Sequence, residues 1–266
     1  MQLAGAHVLV TGASRGIGAC LAEQAAGRGA HVTLVARSDG ALQERARALG
    51  ATALTVDLAD RDARSDVVAR AEQLSGRVLD VLLNCAGVDA LGGLLEVDAA
   101  SMAHLFEVNL LAPAELVRQA LPGMVARGRG HLVDVSSGFA AVNAPGLMPY
   151  AVSRAGLSHV HAGVRGELRG TGVGTTLVEP GPVRTGMWDG IVPWLASSAL
   201  RRFQKLRLVV LSELQDVARA TLDAVEAGRR HVVLPQRMTP VMAIVMALGW
   251  LPRRVSELAL LGVPRR

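Results

Sequence analysis

The stretch His7-Val-Leu-Val-Thr-Gly-Ala-Ser-Arg-Gly-Ile-Gly18 decides how the rest of the chain is read. A short β-favouring run enters a turn with glycines at 12, 16 and 18, and a helix-forming segment follows to about Arg28. Glycine permits the turn geometry and lets the backbone approach a bound group, while free amides at the start of the helix favour phosphate. The spacing is Gly-x-x-x-Gly-x-Gly, not the commoner Gly-x-Gly-x-x-Gly fingerprint. Strand, turn and helix in that order make Gly12, Ser14, Arg15, Gly16, Ile17 and Gly18 candidates for holding a dinucleotide.

Downstream the same alternation repeats. Strands are predicted at His31 to Val35, Ala51 to Val56, Val78 to Leu83, Gly130 to Ser136, Gly172 to Val178 and Arg230 to Leu234. Between them, helices are predicted at Asp39 to Leu49, Asp60 to Ser75, Pro149 to about Leu168 and Leu214 to Ala227. The interval Ala99 to Arg127 reads as one long helix or a bent pair, because Pro113 and Pro122 interrupt it. Strands rich in Val and Leu without clean alternation fit a parallel sheet covered on both faces, joined by helical crossovers. The expected fold is therefore a doubly wound, Rossmann-like α/β sheet of about seven strands. One domain is expected over residues 1–237, with an apolar and basic extension over 238–266.

Composition narrows the function. With 266 residues, 50% of them apolar, the chain can bury a sizeable core, and 29 glycines imply many tight turns. A net charge of +5 is dispersed, without the polybasic run or interleaved aromatics of a nucleic-acid binder. Cys20 and Cys85 match no metal spacing and read as reduced core residues of a cytoplasmic protein. The opening has no basic region followed by an apolar one, so no secretory leader is expected. His7, His31 and His131 read as packing or surface residues of strands, His159 and His161 have no acidic residue spaced with them for a metal or a triad, and no Gly-x-Ser-x-Gly elbow occurs. No metal is expected.

At the end of the second strand, Ala36 stands where an acid would bind an unphosphorylated ribose, and Arg37 follows it. Arg37 and Arg15 can pair with a ribose phosphate, so NADP(H) is favoured over NAD(H), although both can equally be solvated. Asp57 after the third strand can meet an adenine or cap the next segment. Asn84-Cys-Ala-Gly87 supplies small residues that leave room beside a ribose or simply turn the chain. Ser136 and Ser137 close the fifth strand, and Tyr150 and Arg154, four apart, share a helix face. A phenol near a fixed positive charge can exchange a proton with a carbonyl or alcohol oxygen that a serine positions. On the residues alone, an ordinary surface Tyr and Arg remain an equal reading.

Together these ordered motifs resemble the short-chain dehydrogenase/reductase family through about Leu234. The resemblance rests on the glycine turn, Asn84-Cys-Ala-Gly87, Asn109 in Glu-Val-Asn-Leu, Ser137, Tyr150-Ala-Val-Ser-Arg154 and Pro180-Gly-Pro-Val-Arg-Thr185. It implies hydride transfer between a nicotinamide and a carbonyl or hydroxyl-bearing carbon. Tyr150 would be the general acid or base, Ser137 would hold the substrate oxygen, and Asn109 would help order a relay water. The family's usual spacing from serine to tyrosine selects Ser137 over Ser136. Leu58, Asn84, Ala86, Gly87, Tyr150, Arg154, Pro180, Gly181, Val183 and Thr185 would contact the cofactor, Thr185 at its carboxamide. The family normally has Lys where this chain has Arg154, which keeps the charge but relays protons poorly. A weakly active or noncatalytic NADP(H)-binding protein is the first alternative, and an epimerase or dehydratase on the same fold the second.

Residues 185–212 are expected to form a small helical substrate cap. Met187, Trp188, Ile191 and Trp194 are candidate walls for an apolar ketone, aldehyde or secondary alcohol, or else ordinary core. The apolar tail from Met238 to Leu261 can cover the pocket, join subunits or rest peripherally on a membrane. The family resemblance implies a homodimer or homotetramer.

Overall fold

The computed structural model describes residues 1–141, 146–186 and 211–235. Seven strands form one sheet: β1 (His7–Thr11), β2 (His31–Ala36), β3 (Thr52–Thr55), β4 (Val81–Asn84), β5 (Gly130–Val135), β6 (Val173–Pro180) and β7 (His231–Leu234). Their order across the sheet is β3-β2-β1-β4-β5-β6-β7, and every pairing is parallel. This is the doubly wound α/β fold the sequence predicts. Helices α1 (Gly16–Gly27), α2 (Asp39–Leu49), α3 (Val67–Ser75), α4 (Ala99–Phe106), α5 (Ala112–Ala126), α6 (Met148–Glu167) and α7 (Leu214–Ala227) connect the strands.

Successive side chains of a strand point to opposite faces, so an apolar run feeds two cores at once. Val8 and Val10 of β1 pack with Leu21 and Ala25 of α1 and Val217 and Leu222 of α7. Leu9, between them, packs on the other face with Val67 of α3 and Leu116 and Ala120 of α5. Fully buried leucines such as Leu9 and Leu116 each stabilise the fold by about 1.5–3 kcal/mol relative to exposure.

Two elements differ from the sequence reading. Helix α3 begins at Val67, not at Asp60; the Asp60 carboxylate accepts the amides of Asp62 and Ala63 at 2.9 and 3.1 Å and caps a separate turn ahead of it. An acid that satisfies nearby amides favours a turn over a continuing helix. The Ala99–Ala126 interval stays helical, but a π-helical turn at Glu107–Leu111 separates α4 from α5. Pro113 has no N–H to give the carbonyl four residues back, at Asn109, and a wider local register accommodates that loss.

Most of the expected cap, 187–210, and the extension, 236–266, lie outside the described residues, as do Met187, Trp188, Ile191 and Trp194. Among the described residues, no helix is long and apolar enough to cross a membrane.

Candidate active site

Strand β1 pairs with β2 on one side and β4 on the other, so the chain's winding reverses there. Open parallel sheets leave a crevice at such a point, outside the carboxyl ends of their strands. Here it is a cleft of about 1230 Å³. Thr11 at the end of β1 ties its floor together, its Oγ1 accepting the amides of Cys85 and Ala86 at 3.0 Å each.

The glycines of the first turn have separate reasons. Gly12 has φ +68°, and a Cβ there would lie 2.8 Å from the Ala86 Cα. Gly18 packs so closely on the turn that a Cβ would sit 2.4 Å from the Gly12 carbonyl oxygen. Gly16, at φ +62°, faces open space in the cleft. Helix α1 starts with no side-chain cap and no acid in its first turn. Its amino end, with Ser14, Arg15 and Ile17 beside it, is therefore suited to a phosphate and fits a dinucleotide.

Ala36 and Arg37 line the far end of the cleft. Neither Arg15 nor Arg37 has an ion-pair partner among the described residues. Asp39 is the acid nearest in sequence, but its Oδ1 is held by the Thr55 hydroxyl at 2.6 Å and by Gln43 at 3.2 Å. Those hydrogen bonds, Thr55 first, hold its carboxyl below the usual range. Asp57 and Leu58 also line the cleft, and Asp57 uses one oxygen to accept the Ala59 amide at 3.0 Å.

Toward the other end, Ser137, Tyr150 and Arg154 meet in the same cleft with Ala86, Gly87, Pro180, Gly181, Val183 and Thr185. Ser137 caps the 3-10 turn Gly138–Ala140 by accepting the Phe139 amide at 3.2 Å, which leaves its hydroxyl proton available. Ser136 instead donates to the Arg154 carbonyl at 3.0 Å and receives the Ser158 hydroxyl at 2.9 Å. Pro149 in the first turn of α6 starts the helix that carries Tyr150 and Arg154. Tyr150 is held by Phe139, edge to face at 6.4 Å between ring centroids, and its hydroxyl has no hydrogen bond to a described residue.

Arg154 is only 4% exposed. Its guanidinium lies 5.2 Å from the Tyr150 ring centroid, donates to the Val135 carbonyl at 3.3 Å and rests against Gly87. A Cβ at Gly87 would meet the Arg154 guanidinium, so a side chain there would displace the arginine from its present position. A desolvated cation on an aromatic face is worth about 2 kcal/mol.

Asn84 and Asn109 are placed differently from the sequence expectation. Asn84 is absent from the cleft lining, and its side-chain amide donates to Asp134 at 2.9 Å and to the Pro113 carbonyl at 3.3 Å. Asn109 is fully buried: it accepts the Val88 amide at 2.9 Å and donates to the Val88 carbonyl at 2.9 Å and to Ser153 at 3.1 Å. Its side chain thus clamps the turn after β4 instead of facing the cleft. His161 does have an acidic partner after all, Asp134 on β5 at 2.7 Å, well behind the cleft. Their separation of 27 residues hides that pair from any reading of local spacing. Phe139 and Cys85 are cleft residues the sequence reading missed. The rarity of aromatics, two positions from Ser137, was a usable signal for Phe139. Desolvation pushes the Cys85 thiol up to about 12, against the lowering effect of Arg154, and leaves it an unreactive filler.

A family model described as short chain dehydrogenase matches residues 6–196. The chain belongs to that family. Among short-chain dehydrogenases and reductases of known sequence, it is 33% identical over 240 residues to the ketoacyl reductase HetN of Nostoc, covering 88% of this chain and 80% of HetN. It is 37% identical over 191 residues to a short chain dehydrogenase of Pseudocercospora fijiensis, covering 69% of this chain and 62% of that longer protein. A short-chain dehydrogenase/reductase from Burkholderia phymatum, solved with NAD, superposes with a TM-score of 0.78 at 26% identity over 91% of this chain and 93% of its own. A metagenomic short-chain oxidoreductase solved with NADP gives 0.71 at 31% identity over 88% and 98%. Short-chain dehydrogenase neighbours thus take one nicotinamide cofactor or the other.

Proposed function

We propose that this protein transfers hydride between NADP(H) and a small apolar ketone, aldehyde or secondary alcohol, with Tyr150 as the proton donor or acceptor. The observation that carries this reading is the meeting of an unengaged Tyr150 hydroxyl, a Ser137 hydroxyl with its proton free, and the phosphate-ready turn of α1 in one cleft. The nicotinamide, when bound, supplies or accepts the hydride.

Every other role falls to the chain. The turn Gly12–Gly18 holds the phosphates, and Arg15 and Arg37, unpaired and flanking the adenosine end, receive a ribose phosphate. Ser137 donates to the substrate oxygen and orients it toward Tyr150. In reduction Tyr150 gives its proton to that oxygen; in oxidation it takes one. Arg154 keeps a fixed charge on the Tyr150 ring and stabilises the charge that grows on the phenolic oxygen as the proton leaves. It acts as a static charge and not as a proton carrier. Asn109 fixes the Val88 turn through its side chain.

The experiment uses NADPH and NADH carrying deuterium at C4 against a panel of apolar ketones and aldehydes. Deuterium on the product carbinol carbon, faster from NADPH, is the expected result. Tight cofactor binding with no transfer to any of them would assign the protein to binding alone, and conversion with no net change in cofactor absorbance would assign it to epimerisation or dehydration.

A further inference from the structure

The opposite, amino-terminal end of the sheet carries a second cleft, of about 1050 Å³, under β5, β6 and β7. Its charge is of one sign. Arg129 comes from the turn before β5, Arg165 from the last turn of α6, Arg169 from the turn after it and Arg230 from the turn before β7, and Met1 lines the same cleft. Among the described residues, no Asp or Glu lines it. Arg129 is paired with Asp80 at 2.8 Å, and the terminal ammonium donates to the carbonyls of Val225 and Glu226. Arg165, Arg169 and Arg230 have no ion-pair partner among the described residues. The nearby acid Glu226 is already bound to Arg28 at 2.7 Å.

Like charges brought together from separate parts of the chain repel, and the fold would be relieved of that repulsion by an anion placed among them. Guanidinium groups are matched in geometry to phosphate, which each can bind through two parallel hydrogen bonds. Three exposed arginines without ionic partners on one cleft can engage a ligand with more than one phosphate. Among the described residues the lining contains no Phe, Tyr or Trp to stack a nucleobase. We infer that this cleft binds a small, multiply phosphorylated, non-aromatic anion, at a site separate from the nucleotide cleft and independent of what the latter does.

Inorganic tripolyphosphate is the probe, added to full-length protein already saturated with NADPH so that the nucleotide cleft is filled. Calorimetry at low salt is expected to show one further site, weakening as salt rises. Arg165→Ala, Arg169→Ala and Arg230→Ala should each bind about tenfold more weakly, the loss of one charge-assisted contact. Arg15→Ala with Arg37→Ala should leave that second binding event unchanged. No second event, or one that survives loss of all three arginines, overturns the inference. Sedimentation with cardiolipin-containing vesicles that depends on the same arginines, without any heat from tripolyphosphate, would assign them to a lipid surface and overturn it too.

Discussion

The back of the nucleotide cleft and its front hold the same kinds of polar side chain, but differ in what those side chains have left to offer. Asn84 and Asn109 behind the cleft, and Ser136 on its wall, are buried and bonded to Asp134, Val88 and the Arg154 carbonyl. In front, Ser137 and Tyr150 are buried to a similar degree, at 7% and 6% exposure, yet keep their hydroxyl protons. Burial therefore does not separate the groups proposed to react from the supporting ones; unused hydrogen-bonding capacity does. A supporting residue should cost stability when removed, and a reacting one should cost rate.

The widest gap is expected at Tyr150. Tyr150→Phe keeps the ring against Phe139 and Arg154 and removes one oxygen, so kcat should fall about a thousandfold with cofactor affinity and thermal midpoint nearly unchanged. Single-turnover rates beside cofactor titrations measure both. Next come the two adjacent serines. Ser137→Ala should lower kcat about a hundredfold, as for the loss of one donor to a developing charge. Ser136→Ala should leave kcat within about twofold and lower stability by about 1 kcal/mol in urea unfolding, since it removes a bond between β5 and α6. Equal effects at the two positions would erase the distinction between front and back.

Asn109→Ala should fall on the supporting side. It strips partners from both the amide and the carbonyl of the half-buried Val88, for a loss of about 1 kcal/mol. If unfolding were unchanged while kcat collapsed, Asn109 would belong with Tyr150.

This distinction was only partly legible in the sequence. The sheet was readable because its strands are continuous apolar runs, and the glycine turn because Gly12 and Gly18 sit where a side chain would collide with backbone. The family's usual spacing also pointed to Ser137 rather than Ser136. Spacing cannot show, however, that the Asn109 side chain turns to Val88, since the two are joined by folding and not by any local pattern. The same holds for Asp134 with His161, and for the arginines at the amino end, which look dispersed along the chain and converge only when β5, α6 and β7 are assembled. Asp60 misled the reading of α3 because helical periodicity is blind to a carboxylate that caps its own turn.

The smallest expected effect extends the same criterion to the adenosine end. Asp39 and Arg37 are two residues apart, and the acid would select an unphosphorylated ribose were it free to reach one. Its carboxylate is instead tied to Thr55 and Gln43, whereas Arg37 lines the cleft without an ionic partner among the described residues. Arg37→Ala should therefore raise KM for NADPH about tenfold, the worth of one exposed charge-assisted contact, and leave KM for NADH unchanged. The NADPH effect should shrink as salt is added, because both partners are solvated. Thr55→Val sharpens the comparison from the other side: it releases Asp39 from its strongest hydrogen bond, and should improve KM for NADH only if the freed carboxylate can swing toward the ribose. A parallel change in both cofactors' KM after Arg37→Ala would show that the arginine serves the pyrophosphate or the surface, and that the ribose phosphate is not what it recognises.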